Sequence, residues 1–286
     1  MNGPATTLFC RRWSSHDNPA APGAWAPGVG GIGENVRVGL YRDDGIVLRT
    51  QDLGEADHIV TVLTRHTGRV RAVGKGVRRT MSRFGARLEP FSHVDLQLHT
   101  GRSLDYITQA ELVRAYGEPL TSDYPRYTTG TAMLETAERF TPEEKEPATR
   151  QFLLLVGGLR ALGEGAHSPR LVLDAYLLRS LAVAGYAPAL EECAVCGSPD
   201  LAAGTGGSRA FGIAAGGVTC RSCRPAGAAT PSVHTVALMS ALLRGDWAQA
   251  DAAERRHQVE CSGLVAAYLQ WHLEHSIRSL QHVEHA

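Results

Sequence analysis

Four of the six cysteines form two close pairs, Cys193-x-x-Cys196 and Cys220-x-x-Cys223. Zinc takes four thiolate ligands in a tetrahedron, and two cysteines three positions apart can place both sulfurs on one ion from a tight turn. Gly197 follows the first pair and is suited to such a turn. Two pairs separated by about twenty residues are typical of structural zinc sites. The sequence therefore predicts one structural Zn²⁺ bound by these four cysteines.

Three alternative interpretations of these cysteines have less support from the sequence. Two disulfides need an oxidising compartment, for which nothing in the sequence argues. A redox-active pair does not need a second pair, and a catalytic zinc keeps one position free of protein ligands. No role is predicted for Cys10 or Cys261. A closed site remains the prediction, because zinc adds folding energy to a Gly-rich segment with few apolar side chains.

A second feature is the basic stretch RHTGRVRAVGKGVRRTMSRFGAR at residues 65–87. It has no acidic residue, so it forms a local positive field in a chain whose 29 basic and 29 acidic side chains cancel. Clustered guanidinium groups suit phosphates, and a nearby aromatic ring suits stacking on an unpaired base. The predicted DNA contacts are Arg69, Arg71, Lys75, Arg78, Arg79, Arg83, Phe84 and Arg87. The alternative is a solvated arginine-rich surface, and Phe91 is either another stacking ring or a core residue.

Enzyme and membrane signals are missing from the sequence. It has no GxxxxGK[ST], HExxH or GxSxG motif, so no catalytic residue is predicted and we expect a protein that is not an enzyme. No window has the roughly 20 consecutive apolar residues that span a membrane. The N-terminus lacks the continuous apolar segment of a secretory signal. We therefore expect a cytoplasmic protein without a membrane partner.

The basic stretch lies among short segments rich in Val, Ile, Leu and Thr. Several of them alternate apolar and polar residues, as half-buried strands do, and turn signals such as Thr100-Gly101 separate them. The predicted strands are 45–50, 58–65, 69–76, 93–99 and 104–112. A helical turn or a loop fits the gap at 77–92. Five strands of this size predict a small β-barrel of the OB type.

From about residue 119 apolar residues recur at helical spacing. Ser168-Pro169 is a predicted helix start and Gly185 a predicted stop. The predicted helices are 150–165, 168–186, 231–245 and 263–283. The predicted fold class is α+β multidomain, with a five-stranded OB-type barrel followed by an all-α domain that carries a four-cysteine zinc-knuckle insert. The predicted divisions are a disordered extension at 1–38, an OB-fold DNA-binding domain at 39–118, a helical domain at 119–286 and the insert at 190–228.

These residues resemble a known family. The segment from GIVLRT to TQAEL is similar to the amino-terminal domain of the bacterial DNA repair protein RecO family. The most specific matches are the runs GEAD, KGVRR, SRF and LEPF, beginning at Gly54, Lys75, Ser82 and Leu88. LLRSLAVAGYAPALEECAVCG and GGVTCRSC resemble the helix and the two knuckles of the family's second domain. The likeness covers about residues 39–283 and leaves out the first 38.

The resemblance implies an OB fold, a helical domain and a protein that is not an enzyme. It implies binding of single- and double-stranded DNA, annealing of complementary strands and, with the partner RecR, loading of RecA onto DNA coated by single-strand-binding protein. It also implies contact with the acidic tail of that protein, a nucleoid-associated location and a structural zinc. DNA contact by Lys75, Arg78, Arg79 and Arg83 is implied, because these residues fall within matching motifs. The alternatives are a zinc-stabilised protein-interaction scaffold and, more distantly, a nucleic-acid enzyme.

Overall fold

The computed structural model describes residues 39–79, 82, 84–201 and 209–283, with the side chains of the last helix described as far as residue 273. The predicted extension at 1–38 lies outside the described residues, and so does Arg83. Within the described part, a run of strands comes first, and the helices that follow are interrupted by a short hairpin.

Five strands close into a barrel in the order β1-β2-β3-β5-β4. They are β1 (Leu40–Leu53), β2 (Asp57–Thr64), β3 (Gly68–Gly74), β4 (Ser92–His99) and β5 (Asp105–Ala115). All five predicted strands are confirmed, because alternating side chains point into the barrel and away from it. A closed five-stranded barrel of this order is the predicted OB type.

Apolar side chains fill the barrel, and the connection between β3 and β4 closes one end. This connection contains a 3-10 helix, Gly85–Leu88, which is the turn that the gap between the predicted strands allowed. Phe84 and Leu88 from this connection join the interior cluster and are almost fully buried. Fully buried strand residues in the same cluster include Val60, Val62, Val70, Leu96 and Leu98.

The helical part contains seven helices within the described residues. They are α1 (Gly117–Thr121), α2 (Tyr124–Arg139), α3 (Thr149–Glu164), α4 (Pro169–Val183), α5 (Val233–Arg244), α6 (Trp247–Asp251) and α7 (Arg255–Val283). The four predicted helices are confirmed as α3, α4, α5 and α7, although α7 begins earlier than expected. The pattern did not single out α2, because its many threonines and its glycine weaken the helical signal.

Helix α4 lies at the centre of the helical core and is buried on most of its circumference. Its predicted start is confirmed, since the Ser168 hydroxyl accepts a hydrogen bond from the Leu171 N–H at 3.3 Å. Its predicted stop is confirmed as well, because Gly185 follows in the left-handed conformation at φ +91°. Arg179 is buried on this helix and donates to the Leu242 carbonyl at 2.9 Å, which joins α4 to the end of α5.

The parallel seam between β3 and β5 is short and is completed by the helical part. The two strands pair only at Ala72 and Val73 of β3. Lower on β3, the Lys145 N–H donates to the Arg69 carbonyl at 2.9 Å, so the connection between α2 and α3 covers the remaining edge. The Lys145 ammonium reaches across to the buried Asp105 carboxylate of β5, also at 2.9 Å. From Leu40 onward, barrel and helices accordingly form one compact unit.

The predicted insert at 190–228 carries a two-stranded hairpin, β6 (Ala210–Gly212) and β7 (Gly217–Thr219). The Ala194 N–H donates to the Val218 carbonyl at 2.8 Å, which ties the first cysteine pair to the hairpin. Among the residues that the structure describes, no helix combines the length and apolar character needed to cross a bilayer.

Candidate metal centre and nucleic-acid interface

The four predicted cysteines meet in one cluster. Their sulfur atoms all lie within 4.8 Å of one another, and the Sγ atoms of Cys196 and Cys220 are 3.8 Å apart. A tetrahedral zinc with Zn–S bonds of about 2.3 Å requires sulfurs about 3.8 Å apart. The four thiols therefore fit a four-coordinate ion, and with all four positions taken by protein the site is closed.

Backbone hydrogen bonds set the two knuckles. The Cys220 N–H donates to the Cys193 sulfur at 3.3 Å, so each pair of cysteines contributes to the placement of the other. Gly197, at φ +71°, donates to the Cys193 carbonyl at 2.8 Å and closes the first turn. A side chain at this position would be strained, which accounts for the glycine after the first pair. The hairpin strand β7 leads directly into Cys220.

The thiols have unequal acidities. Backbone N–H groups of Cys220 and Cys196 lower the pKa of Cys193 to about 6, because they stabilise its thiolate. Hydrogen bonding with the thiols of Cys220 and Cys196 raises the pKa of Cys223 to about 12. Four crowded thiolates repel one another, and a divalent cation at their centre removes that penalty. The cluster is therefore chemically suited to a metal ion.

The predicted DNA contacts on β3 do not all face solvent. Arg69 is only 12% exposed, and its guanidinium donates to the backbone carbonyls of Thr141 and Pro142. Arg71, one third exposed, lies 3.6 Å from the Glu144 carboxylate. The expectation that Arg69 projects outward to meet phosphate is wrong, because the residues after α2 cover it. Its role is to join the barrel to the helical part.

The remaining predicted cations lie beyond the end of β3. Lys75, Arg78 and Arg79 are exposed on the loop that follows the strand, and Arg87 is exposed on the 3-10 helix. The β1–β2 turn holds this loop, since the Arg78 N–H donates to the Ala56 carbonyl at 3.1 Å. The loop thus has a fixed backbone and exposed cationic side chains, of which Arg78 pairs with the Asp52 carboxylate at 3.1 Å. Exposed cations on a fixed backbone are the arrangement that a phosphate-binding surface needs.

The predicted stacking ring is not available. Phe84 is 1% exposed and packs inside the barrel, so its assignment as a DNA contact is wrong. Phe91 is a core residue that packs edge-on against Tyr127. The aromatic ring that does face solvent near the cations is Tyr106 on β5, 41% exposed, with the Lys75 ammonium 5.3 Å from the ring centre. Sequence reasoning missed Tyr106, although its alternation with the buried Ile107 indicates an outward position.

A cleft of about 620 Å³ opens among α2, α4 and α7. Its walls include the apolar side chains of Pro125, Leu173 and Leu177, and the exposed arginines Arg170 and Arg255 lie at its edge. The sequence pointed to no such pocket. An apolar groove with two guanidinium groups is suited to an acidic peptide with apolar side chains.

A buried carboxyl forms part of the cleft wall. Asp174 on α4 is 3% exposed and accepts a hydrogen bond from the Ser262 hydroxyl at 2.6 Å. Burial raises the pKa of Asp174 to about 6, and the Ser262 hydrogen bond and Arg170 only partly oppose it. The carboxyl therefore changes charge around pH 6, well above the usual range of an aspartate.

A second group of possible metal ligands combines Asp43 and Asp44 of β1 with His66 of the β2–β3 turn. Its carboxylates already have partners. Asp43 accepts hydrogen bonds from the backbone N–H groups of His66 and Thr67, and Asp44 contacts Arg65 and His93. Because contacts from the β2–β3 turn and β4 account for both carboxylates of β1, the group does not need a metal to join these elements at the barrel end.

The barrel and the four-thiol helical part define a class of OB-fold protein extended by a helical domain with a four-cysteine knuckle that could hold a metal ion. Residues 38–116 match the family described as "Recombination protein O N terminal", and residues 121–281 match "Recombination protein O C terminal". The chain belongs to the RecO family. That membership assigns it to DNA repair and recombination.

Curated relatives agree with the family match over nearly their whole length. The chain is 70% identical over 247 residues to "DNA repair protein RecO" of Thermobifida fusca. It is 62% identical to the proteins of the same name from Streptomyces griseus, over 251 residues, and Nocardioides sp., over 245 residues. Each alignment covers 86% of this chain and 99% of the relative.

Proposed function

We propose that the chain is a recombination mediator whose barrel binds single- and double-stranded DNA through its exposed cations. The observation that carries the proposal is the group Lys75, Arg78 and Arg79, open to solvent on one loop of fixed backbone. Membership of a DNA repair family supports it. Each phosphate neutralised by such a cation releases counterions, so affinity depends strongly on salt and little on base sequence.

Strand annealing follows from the same electrostatics. A cationic surface reduces the repulsion between two complementary strands and holds them close enough to pair. This process makes and breaks no covalent bond, so the proposed protein is not an enzyme. The alternatives are a zinc-stabilised scaffold that binds only proteins and, more distantly, an enzyme that acts on nucleic acid.

The double variant Arg78→Glu/Arg79→Glu tests DNA binding by the loop that follows β3, which we call the barrel loop. We expect affinity for labelled single strands and duplexes to fall by roughly tenfold or more in fluorescence anisotropy. The slope of log affinity against log salt should become shallower by about 2. Annealing of complementary strands should slow in parallel.

Arg170→Glu/Arg255→Glu is the matched control, because it changes the net charge equally at two exposed arginines of the helical part. It should retain DNA binding. An equal loss of DNA affinity in the two double variants would show that the net charge of the protein, and not the barrel loop, determines DNA binding. Wild-type protein that neither binds nor anneals DNA would favour the scaffold, and strand cleavage with Mg²⁺ or Mn²⁺ would favour an enzyme.

The proposed partners are RecR, with which the protein loads RecA onto coated single-stranded DNA, and the acidic tail of single-strand-binding protein. The cleft among α2, α4 and α7 supports the second partner. Its apolar wall at Leu173 and Leu177 accommodates apolar side chains, and Arg170 and Arg255 attract carboxylates.

A fluorescent peptide with the sequence of that tail tests the cleft. Arg170→Glu/Arg255→Glu should abolish its binding, whereas Arg78→Glu/Arg79→Glu should leave it unchanged. The two double variants therefore serve as controls for each other. Peptide binding that survives in the cleft variant would assign the tail to another surface.

Zinc is the proposed ion of the four-cysteine cluster. Four thiolates in a tetrahedron suit zinc or iron–sulfur chemistry, and zinc is the usual ion of paired knuckles. Atomic absorption of protein purified under reducing conditions should give one zinc per chain. Visible absorbance and bound iron, or protein free of metal, would refute this assignment.

A further inference from the structure

One row of side chains crosses the outer surface of the barrel from strand to strand. Residues directly opposite each other in neighbouring strands share a face of the sheet. The strand register pairs Ile59 with Val73, Val73 with Tyr106 and Tyr106 with His99. We call these four residues the Tyr106 row.

The Tyr106 row faces away from the barrel interior. The next position along β4 and β5 is the pair Leu98 and Ile107, both buried in the interior cluster. None of the four residues belongs to either apolar core, in contrast to outward residues of β1 and β2 that the helices cover. Val73 is nonetheless only 5% exposed, whereas Tyr106 and His99 remain exposed. The exposed part of the row is therefore an aromatic surface formed by Tyr106 and His99, next to the buried Val73.

Neighbouring residues restrain the Tyr106 ring in one position. Val73 lies opposite it on β3, and the ring edge lies against the β4–β5 turn at Gly101, where a Cβ atom would be 3.2 Å from the ring. The Lys75 ammonium lies 5.3 Å from the ring centre. An exposed cation–π contact is weak, and this lysine is free to move to a phosphate when a base approaches the ring.

Positive charge flanks the row on β3. Arg71 is the outward position before Val73 on β3, and Lys75 follows the end of the strand with its ammonium 5.3 Å from the centre of the Tyr106 ring. Glu144 partly neutralises Arg71 and Asp52 partly neutralises Arg78, whereas Lys75 is exposed and continues into the loop with the exposed Arg79. An aromatic surface bordered by cations is complementary to a nucleic acid whose bases are unpaired, because bases stack while phosphates reach the cations.

We infer that the Tyr106 row binds the unpaired bases of single-stranded DNA, with Tyr106 as the stacking residue. The inference rests on the proposed function and adds that two groups of residues bind different parts of the DNA. The cations of the loop after β3 bind phosphates of either DNA form, and the Tyr106 row binds only strands with free bases. It thereby favours single strands over duplexes at this surface, since paired bases cannot stack on a side chain.

Three oligonucleotide probes separate stacking from charge: a labelled oligothymidine, a duplex of equal length and an abasic strand that keeps the phosphates. The variants are Tyr106→Ala, Tyr106→Leu, which keeps apolar volume without an aromatic face, and Tyr106→Phe, which keeps the ring. For the Ala and Leu variants we expect roughly tenfold weaker oligothymidine binding, with an unchanged salt slope and unchanged affinity for the abasic strand and the duplex. The Phe variant should bind all three probes as the wild type does.

The outcomes distinguish this inference from the proposed function. If Tyr106→Leu binds oligothymidine normally while Arg78→Glu/Arg79→Glu does not, the row has no role and the proposed function stands. If Tyr106→Ala and Tyr106→Leu weaken the abasic strand as much as oligothymidine, stacking is refuted. If the wild type binds none of the probes, both fail. Thermal unfolding checks that the variants fold, and Tyr106→Phe must rescue binding for the inference to hold.

Discussion

Replacing Lys145 by Met tests whether the connection between α2 and α3 seals the barrel. The Lys145 ammonium lies 2.9 Å from the fully buried Asp105 carboxylate, and Lys145 itself is 43% exposed. Met keeps the length of the side chain, and because it is also a non-glycine residue it keeps the strain of Lys145 at φ +63°. The substitution therefore removes the charge and the hydrogen bond while leaving the backbone contact with β3.

The expected cost follows from the surroundings of Asp105. Removing one partner of a buried ion pair costs about 3–5 kcal/mol. Here the lysine is half solvated, and Asp105 keeps hydrogen bonds from the Tyr41 hydroxyl at 2.5 Å and the Gly101 N–H at 3.1 Å. We therefore expect a loss of about 2–3 kcal/mol, and each kcal/mol lowers Tm by about 2–4 °C for a chain of this size. Urea and thermal unfolding measure both quantities.

The chain offers a matched control, because Lys75 is its only other lysine. Lys75→Met should change stability by less than about 0.5 kcal/mol, since its ammonium lies against an exposed ring. In an Asp105→Asn background, Lys145→Met should cost much less than alone, and the difference is the coupling energy. Equal losses in the two lysine variants, or zero coupling with Asp105→Asn, would refute the reasoning.

Three further outcomes are expected. Removing the metal with a chelator, or the substitution Cys196→Ser, should lower Tm by several degrees, because the bound metal stabilises the fold. DNA affinity should be retained, because the cluster lies in the helical part. Calorimetry measures Tm and fluorescence anisotropy measures the affinity, and an unchanged Tm would contradict the prediction. Asp174→Asn should have a free energy of unfolding about 1–3 kcal/mol higher than that of the wild type at pH 7, measured by urea unfolding. The folded state raises the pKa of Asp174 to about 6, so ionisation of this carboxyl lowers the stability of the wild type as pH rises from about 4 to 6. That advantage should disappear near pH 4, and an advantage constant with pH would contradict the burial argument. Gly130→Ala should destabilise the core measurably by thermal unfolding, since its Cβ would lie 2.9 Å from the Phe91 ring, and a neutral result would show that the ring moves.

The strands and the metal cluster were predictable because their signals are local. Alternation of apolar and polar residues over a few positions shows which face of a strand is buried. A two-residue spacer between cysteines lets both sulfurs bind one ion from a local turn, whatever the rest of the fold is. The OB-type barrel and the four cysteines followed from such patterns. Tyr106 could have been found in the same way, from its place next to Ile107 in an alternating strand.

Arg69 and Phe84 could not be assigned from the sequence, because their surroundings are set by distant residues. Arg69 is covered by backbone carbonyls of Thr141 and Pro142, far along the chain. Phe84 follows no strand or helix period, and only the closed barrel shows that the connection after β3 must fill its end. A basic run identifies a region of positive charge, but not which of its members face solvent.

The completion of the β3–β5 seam by Lys145 has a consequence for synthesis on the ribosome. All five strands emerge before the residues that cover the first half of β3, so the nascent barrel has an unpaired strand edge and an Asp105 carboxylate without its ammonium partner. Unpaired edges of this kind are prone to join other chains. The barrel reaches its final stability only after the second helix and the turn beyond it have been translated, which couples the maturation of the amino-terminal half to the progress of elongation.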